Sequence, residues 1–448
     1  MNILVLNGSP KGDYSITLHT CLYLQKKFPE HTFEILHVGQ TIKAIERDFS
    51  KAAELINKAD ALLFSYPVYT FIATCQLHRF IELMKEHNVD VKGKIATQIT
   101  TSKHFYDVTA HRYIQENCDD MGMNYIRGLS ADMEDLTSEK GRKEAESFFE
   151  YFIWSAEKKY YEKPVAKQYD FTPVPATALE NDNDSKKGNV VIVADYKEDS
   201  EQLKNMISHF RATLPAKTRV INIREYPFKG GCLGCFRCAS DGVCVYKDGF
   251  DSFLRNEIQS ADAIVYAFEI KDHSMGSVFK MYDDRQFCNG HRTVTIGMPV
   301  GYLISGKYAD EVNLQTILEG RAQVGGNILA GIATDECNTD YEIEKMADSL
   351  AYALKNKNTQ PQNFYGVGGM KIFRDLIYQM RGLMKADHKF FKSHGQYDFP
   401  QKKQAMSMLM YLVGAMNSSE KMRAKMGNKM NEGMVMPYKM LIDKMDKK

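Results

Sequence analysis

Residues 2–18 read NILVLNGSPKGDYSITL. Ile3, Leu4, Val5 and Leu6 form a short apolar run of the kind that makes a central parallel strand, buried on both faces. Gly8, Ser9, Pro10 and Gly12 end it, and Ser15 and Thr17 stand where a helix begins. Hydroxyls and the free N–H groups of a first helical turn then face the mouth of the loop. That is an anion site suited to a phosphate monoester, with Lys11 as an optional cation. The alternative is an ordinary strand-to-helix connection with good capping residues. The spacing is neither Gly-x-x-x-x-Gly-Lys-Ser/Thr nor Gly-x-Gly-x-x-Gly.

The pattern G-S-P-x-x-x-x-S-x-T resembles the loop of the NADPH-dependent FMN reductase superfamily. The resemblance implies a flavodoxin-like fold and makes Ser9, Pro10, Lys11, Ser15, Ile16 and Thr17 the expected contacts of an FMN phosphate. Residues 59–71, ADALLFSYPVYTF, read as a strand ending in Pro67, Val68 and Tyr69, followed by Thr70 and Phe71. Ligands of open α/β sheets lie beyond such carboxyl ends. By resemblance this segment borders the isoalloxazine ring. Superfamily members usually carry a lysine and then an Asp-Arg pair beyond it; QLHRFI at residues 76–81 has neither. A third loop, TTSKHFYD at residues 100–107, is expected to close over the flavin with Thr101, Ser102, Lys103, His104 and Tyr106.

At 448 residues the chain exceeds one compact core, and its formal net charge of +1 gives no field for nucleic acid. Partners are therefore expected to be small molecules or proteins. Met1 leads straight into a strand and no stretch reaches spanning length, so a cytoplasmic protein with no membrane span is expected. Nine cysteines, four of them in one short loop, argue for metal or redox work rather than disulfides. The other five are expected to be buried.

In chain order the reading places a second strand at residues 33–38, part of a second helix at 52–58, a fourth strand at 95–101, a fifth at 124–129 and a helix at 138–160. Residues 161–187, proline-bearing and polar, read as a linker. A second copy follows. VVIVAD at residues 190–195 repeats the first strand, and ADAIVYAF at 261–268 repeats ADALLFSY. HRTVTIGMP at 291–299 stands for the fourth strand and residues 328–334 for the fifth. The expected fold is α/β: two tandem flavodoxin-like, doubly wound parallel sheets of order 2-1-3-4-5, over residues 1–160 and 188–358, able to pair like a dimer within one chain. A helical, Met-rich extension covers residues 359–448, with Met422, Met426, Met430 and Met434 on one stripe.

The copies differ. Ile3 matches Val190 at an offset of 187 and Ala59 matches Ala261 at 202, so copy two holds 15 extra residues between its first and third strands. It has acids at Asp195, Glu198 and Asp199 where a phosphate would sit, and Glu269, Ile270 and Lys271 replace Pro-Val-Tyr. Poor FMN binding there is the consequence. Between those two strands lies KGGCLGCFRCASDGVC, placing Cys232, Cys235, Cys238 and Cys244 in the spacing C-x2-C-x2-C-x5-C. Four thiolates with glycines between them suit a [4Fe–4S] cube. Structural zinc and free or disulfide-forming thiols are the competing readings. The spacing resembles that of iron–sulfur flavoproteins, a branch of the same superfamily, although here cluster and flavin motifs fall in different copies.

The function expected is an FMN-dependent oxidoreductase of the NAD(P)H-dependent FMN reductase or quinone reductase type. NAD(P)H is a transient donor, the acceptor is a small molecule, and electrons pass between FMN and the cluster. The resemblance requires no acid–base catalytic residue. An electron-transfer protein working between ferredoxin-like partners is the alternative, and a zinc-bound interaction scaffold the third reading. A homo-oligomer is expected.

Overall fold

The computed structural model describes residues 1–165, 171–180, 186–416, 418–421 and 429–445. By contact these form two units, Met1–Phe390 and Phe391–Lys448. The first unit contains both sheets. Sheet one comprises β1 (Asn2–Asn7), β2 (Thr32–Leu36), β3 (Ala61–Pro67), β4 (Ile95–Ser102), β5 (Asn124–Tyr125) and β6 (Leu129–Asp132). All pairs are parallel, in the order β2-β1-β3-β4, with β5 and β6 both on β4. Its helices are α1 (Ile16–Lys27), α2 (Val38–Arg47), α3 (Ser50–Lys58), α4 (Cys75–Glu86), α5 (Asp107–Asp120) and α6 (Glu139–Lys158). Side chains alternate across β1: Ile3 and Val5 pack with α1 and α6, Leu4 and Leu6 with helices of the other face. This is why the run is apolar throughout.

Sheet two contains β7 (Val190–Asp195), β8 (Thr218–Asn222), β9 (Ala263–Glu269), β10 (Pro299–Ser305) and β11 (Ile328–Thr334), again parallel, in the order β8-β7-β9-β10-β11. The first-unit part of the second half adds α7 (Glu201–Thr213), α8 (Arg237–Asp241), α9 (Phe250–Phe253), α10 (Gly276–Arg285), α11 (Val312–Gly325), α12 (Thr339–Asn356) and α13 (Phe364–Gln379). Both sheets follow the order 2-1-3-4-5, two tandem flavodoxin-like folds. One apolar cluster runs from Leu4, Leu6 and Phe64 through Leu77 and Phe279 to Val191 and Ile264, so the two sheets share a core.

Helices α4 and α10 pack on each other across a quasi-dyad. Cys75 N donates to Asp284 Oδ2 (2.8 Å), and Ser277 N donates to Glu82 Oε1 (2.7 Å). The 202-residue offset carries Cys75 onto Ser277 and Glu82 onto Asp284. Each helix start is thus capped by a carboxylate from the other copy, an isologous contact within one chain.

Several expectations are corrected. Val38 does not end β2: it opens α2, a helix the sequence reading lacks, where it is fully buried. The fifth strand of sheet one is broken into β5 and β6. Residues 291–298 are not a strand. Gly290 and Gly297 have φ of 61° and 77°, and Val294 and Ile296 are exposed. The fourth strand is PVGYLIS, apolar along its length and paired on both sides, as a central parallel strand must be. Within the expected linker, residues 171–180 hold to sheet two: Ala176 is buried, Val174 N donates to Asp335 O (2.8 Å), and Thr177 bonds Asp340. The apolar alanine and these polar anchors order the segment. Cys337 is exposed, unlike Cys21, Cys75, Cys118 and Cys288.

The first helix of the expected C-terminal extension, α13, packs on α11. The second unit contains α15 (Gln404–Met416), which follows α14 (Lys385–Ser393), and a helix over Lys429–Met445. Of the methionine stripe, Met422 and Met426 lie outside the described residues. No described helix is long and apolar enough to cross a membrane.

Candidate functional site

The phosphate loop is built by its own backbone and by Asn7. The Asn7 amide donates to Gly12 O (3.1 Å), its carbonyl accepts from Ser9 N (3.2 Å), and Ser9 Oγ accepts from Lys11 N (3.3 Å). Gly12 has φ of 56°, and a Cβ there would meet the Gln40 side chain at 2.5 Å. Ser15 caps α1, its hydroxyl accepting from Leu18 N (3.3 Å). Thr17 and Thr101 share a hydrogen bond of 2.6 Å. Ser9, Ser15 and Thr17 are buried, and the first-turn N–H groups that a helix leaves unpaired open on the same space.

Beyond β3 the chain reverses tightly. Tyr69 N donates to Ile72 O (2.8 Å) and Ile72 N to Tyr69 O (3.2 Å), with Thr70 and Phe71 at φ of 45° and 76° between them. Two β-prone side chains in left-handed conformation need outside support. It comes from copy two: Lys280 Nζ donates to Tyr69 O (2.9 Å), and Asp284 Oδ1 accepts from Thr70 Oγ1 (2.9 Å). Lys280 and Asp284 form an ion pair with each other, and both are fully buried. A motif search confined to copy one overlooks these residues. The signal is KMYDDR at residues 280–285, which carries the lysine and the Asp-Arg pair that copy one lacks.

The third member of that set, Arg285, serves the cysteine loop. Its guanidinium is buried, bonds Asp248 at 2.8 Å and Gly230 O at 2.9 Å, approaches Cys244 Sγ at 3.8 Å, and lies over the rings of Tyr246, Phe250 and Phe228. Gly234 N donates to Cys232 Sγ (3.4 Å), and Cys238 Sγ donates to Phe287 O (2.9 Å). Burial pushes the Cys238 thiol up to about 11 and that of Cys232 further, so neither is a ready thiolate nucleophile.

The two loops face each other. A cavity of about 370 Å³ is lined by Ser9, Lys11, Ser15, Ile16, Thr17, Pro67, Val68, Tyr69, Thr70, Phe71, Thr101, Ser102 and Lys103 of copy one, and by all four cysteines of copy two. The approach is close enough that a Cβ on Gly234 would lie 1.7 Å from the Tyr69 hydroxyl, and one on Gly231 2.2 Å from Cys75 Sγ. Lys11 Nζ sits 5.2 Å over the Phe236 ring. Burial lowers the Lys11 pKa, while the neighbouring Cys232 and Cys235 raise it. Phe105, His291, Ile372 and Phe373 add an apolar and aromatic wall.

Pro10, His104 and Tyr106 are not in this lining. Pro10 is buried in the loop. His104 Nδ1 pairs with Asp107 (2.8 Å) on the outer side of its turn. Tyr106 packs on Phe71 (ring centroids 4.2 Å) and donates to Tyr365 O (3.0 Å), a structural role.

The residues fit an FMN phosphate: three buried hydroxyls, a helix N-terminus and one lysine, while the loop's own carboxylate, Asp13, is exposed and pairs with His37 (3.3 Å). Copy two does not fit one, because Asp195, at the position of Gly8, puts a buried carboxylate at the strand end, paired with Arg224 at 2.5 Å. At the cysteine loop an N–H donor at Cys232 Sγ and the neighbouring cations Lys11 and Arg285 are an environment that favours bound thiolates over neutral thiols.

Residues 1–131 match the family model described as NADPH-dependent FMN reductase, as the loop resemblance implies. The chain is 26% identical over 174 residues to the iron-sulfur flavoprotein of Archaeoglobus fulgidus, covering 37% of this chain and 78% of that protein. Among solved structures, the flavoenzyme NAD(P)H:(acceptor) oxidoreductase FerB of Paracoccus denitrificans is 19% identical, over 35% of this chain and 97% of that one, with a TM-score of 0.29. The general stress protein 14 of Treponema denticola, in complex with FMN, is 14% identical over 35% and 98%, with a TM-score of 0.26.

Proposed function

We propose that this chain is an FMN-dependent oxidoreductase of the NAD(P)H-accepting type, in which Cys232, Cys235, Cys238 and Cys244 hold a [4Fe–4S] cluster against the flavin site of the other domain. One observation carries the reading: the phosphate loop of copy one and the cysteine loop of copy two line a single cavity. FMN, when bound, supplies hydride and single-electron transfer, and a cluster supplies single-electron transfer. The chain's own part is binding and placement. Ser9, Ser15, Thr17 and the first turn of α1 hold the phosphate, and Lys11 answers its charge. Pro67, Val68 and Tyr69 border the ring, with Lys280 and Asp284 fixing that turn. Apolar walls keep water from the reacting face. Small-molecule donors and acceptors reach it through the same cavity.

The test is a crossed pair of variants. Cys232→Ala is expected to lose iron and its visible absorbance while FMN remains. Ser9→Asp places a carboxylate against the phosphate and is expected to lose FMN while iron remains. Loss of FMN from Cys232→Ala with iron unchanged overturns the assignment. NADPH or NADH oxidation with added acceptors separates an enzyme from a carrier serving ferredoxin-like partners.

A further inference from the structure

The quasi-dyad maps the flavin-bordering turn onto a second place in the molecule. The 202-residue offset takes Tyr69, Thr70, Phe71 and Ile72 to Lys271, Asp272, His273 and Ser274. The backbone is kept. Lys271 and Ser274 exchange the same two hydrogen bonds (2.9 and 3.0 Å), and Asp272 and His273 have φ of 53° and 63°. The chemistry is not kept, since a turn that borders a ring in copy one is ionic in copy two. His273 Nδ1 lies 3.0 Å from the Glu311 carboxylate and Nε2 lies 3.0 Å from Asp120 Oδ2. Glu116 stands one turn before Asp120 on the same face of α5.

One donor atom each from Glu116, His273 and Glu311 lies within 4.8 Å of the others. Glu116 is 6% exposed; its Oε1 accepts from Arg112 Nε (3.1 Å), while Oε2 has no hydrogen-bond partner. A buried carboxylate oxygen without a partner is costly and calls for a ligand. The charges agree. Glu116, Asp120, Asp272 and Glu311 are four acids against two fixed cations, Arg112 and Lys85, the latter bonding Asp120 and Asp272 at 2.9 and 2.8 Å. A coordinating imidazole is neutral, which leaves two negative charges over.

We propose that Glu116, His273 and Glu311, with Asp120 beside them, bind a divalent first-row cation that takes imidazole and carboxylate donors, such as manganese or zinc. Glu116 and Asp120 belong to the first α/β domain and His273 and Glu311 to the second, so the ion joins the two. The site is separate from the flavin cavity and stands whether or not that cavity binds FMN.

The test is titration of the metal-stripped full-length protein with manganese chloride, reading free Mn²⁺ by its EPR signal. Manganese favours oxygen and nitrogen donors over the thiols of the cysteine loop. One Mn²⁺ per chain is expected, with affinity falling at least about tenfold in both Glu116→Gln and His273→Gln. Cys235→Ser is expected to bind as the wild type does. Thermal unfolding without metal identifies any variant that fails to fold, and Glu116→Gln, which keeps the Arg112 contact and the side-chain volume, then decides. No saturable binding by the wild type, or binding undiminished in folded Glu116→Gln, overturns the proposal and leaves an ion-pair lock held by the His273 imidazolium.

Discussion

At Gly234 the two copies come into contact over the candidate flavin site. Its φ of 61° is left-handed, and an added methyl group would overlap the Tyr69 hydroxyl. Gly234→Ala is expected to lower stability by about 1–3 kcal/mol in urea and to lower FMN content in the same preparation, because Tyr69 must leave the cavity wall. His111 gives a pH signature. Its Nε2 bonds Thr100 Oγ1 (2.8 Å), and burial pushes its pKa down to about 4. The unfolded chain takes up this proton at the ordinary value, about 6.5, and the folded chain does so only near 4. The stability present above pH 6.5 therefore falls as pH drops toward 4, by about 3 kcal/mol in total, and His111→Gln should abolish that part of the slope. Urea midpoints between pH 7.5 and 4 measure it. That Ser9, Ser15, Thr17 and the four cysteines are candidates is legible in the sequence from residue type and local spacing, and they line one cavity. His104 and Tyr106 were read into the cavity because position in a loop does not tell which way a side chain turns; Asp107 and Tyr365 O draw them away.

Helices α4 and α10 hold the turn after β3 from both copies, and Lys280 and Asp284 are the part of α10 that bonds it. Lys280→Met leaves Asp284 buried without its cation and is expected to cost about 3–5 kcal/mol and to weaken FMN retention. Adding Asp284→Asn should recover part of the stability but not the FMN affinity, since the Tyr69 carbonyl still lacks its donor. Urea unfolding and flavin release on dilution give the two readouts. Strands such as β1, β3, β7 and β9 are legible because both faces are covered, so each is built around an unbroken apolar run such as residues 3–6 or 190–194. The segment at residues 291–298 misleads for a related reason: TVTI is rich in β-branched residues, yet it lines the cavity between two glycines of positive φ, and β-propensity does not register where the sheet ends. Helix α2 was hidden by Gly39, a poor helix former kept there because its lack of a side chain lets the helix touch Gly8 and Ser9; a Cβ would lie 2.4 Å from Gly8 O.

Residues 1–390 hold two copies of one fold that differ in their loops. Copy one carries the loop of residues 9–17, copy two the cysteine loop and the Lys-Asp-Arg set, and the two loops line one cavity. The internal repeat was visible in the sequence, and so was the loss of the phosphate loop from copy two. Their joining into one cavity was not, because it depends on a quasi-dyad whose capping contacts pair residues 195 and 209 positions apart. The most direct test is an absorption spectrum of anaerobically purified full-length protein, with flavin, iron and zinc quantified on the same sample. Flavin bands with a broad charge-transfer shoulder, one FMN per chain and about four irons per chain are expected. A colourless protein carrying zinc, or a flavin-free one carrying iron, would contradict the proposed function.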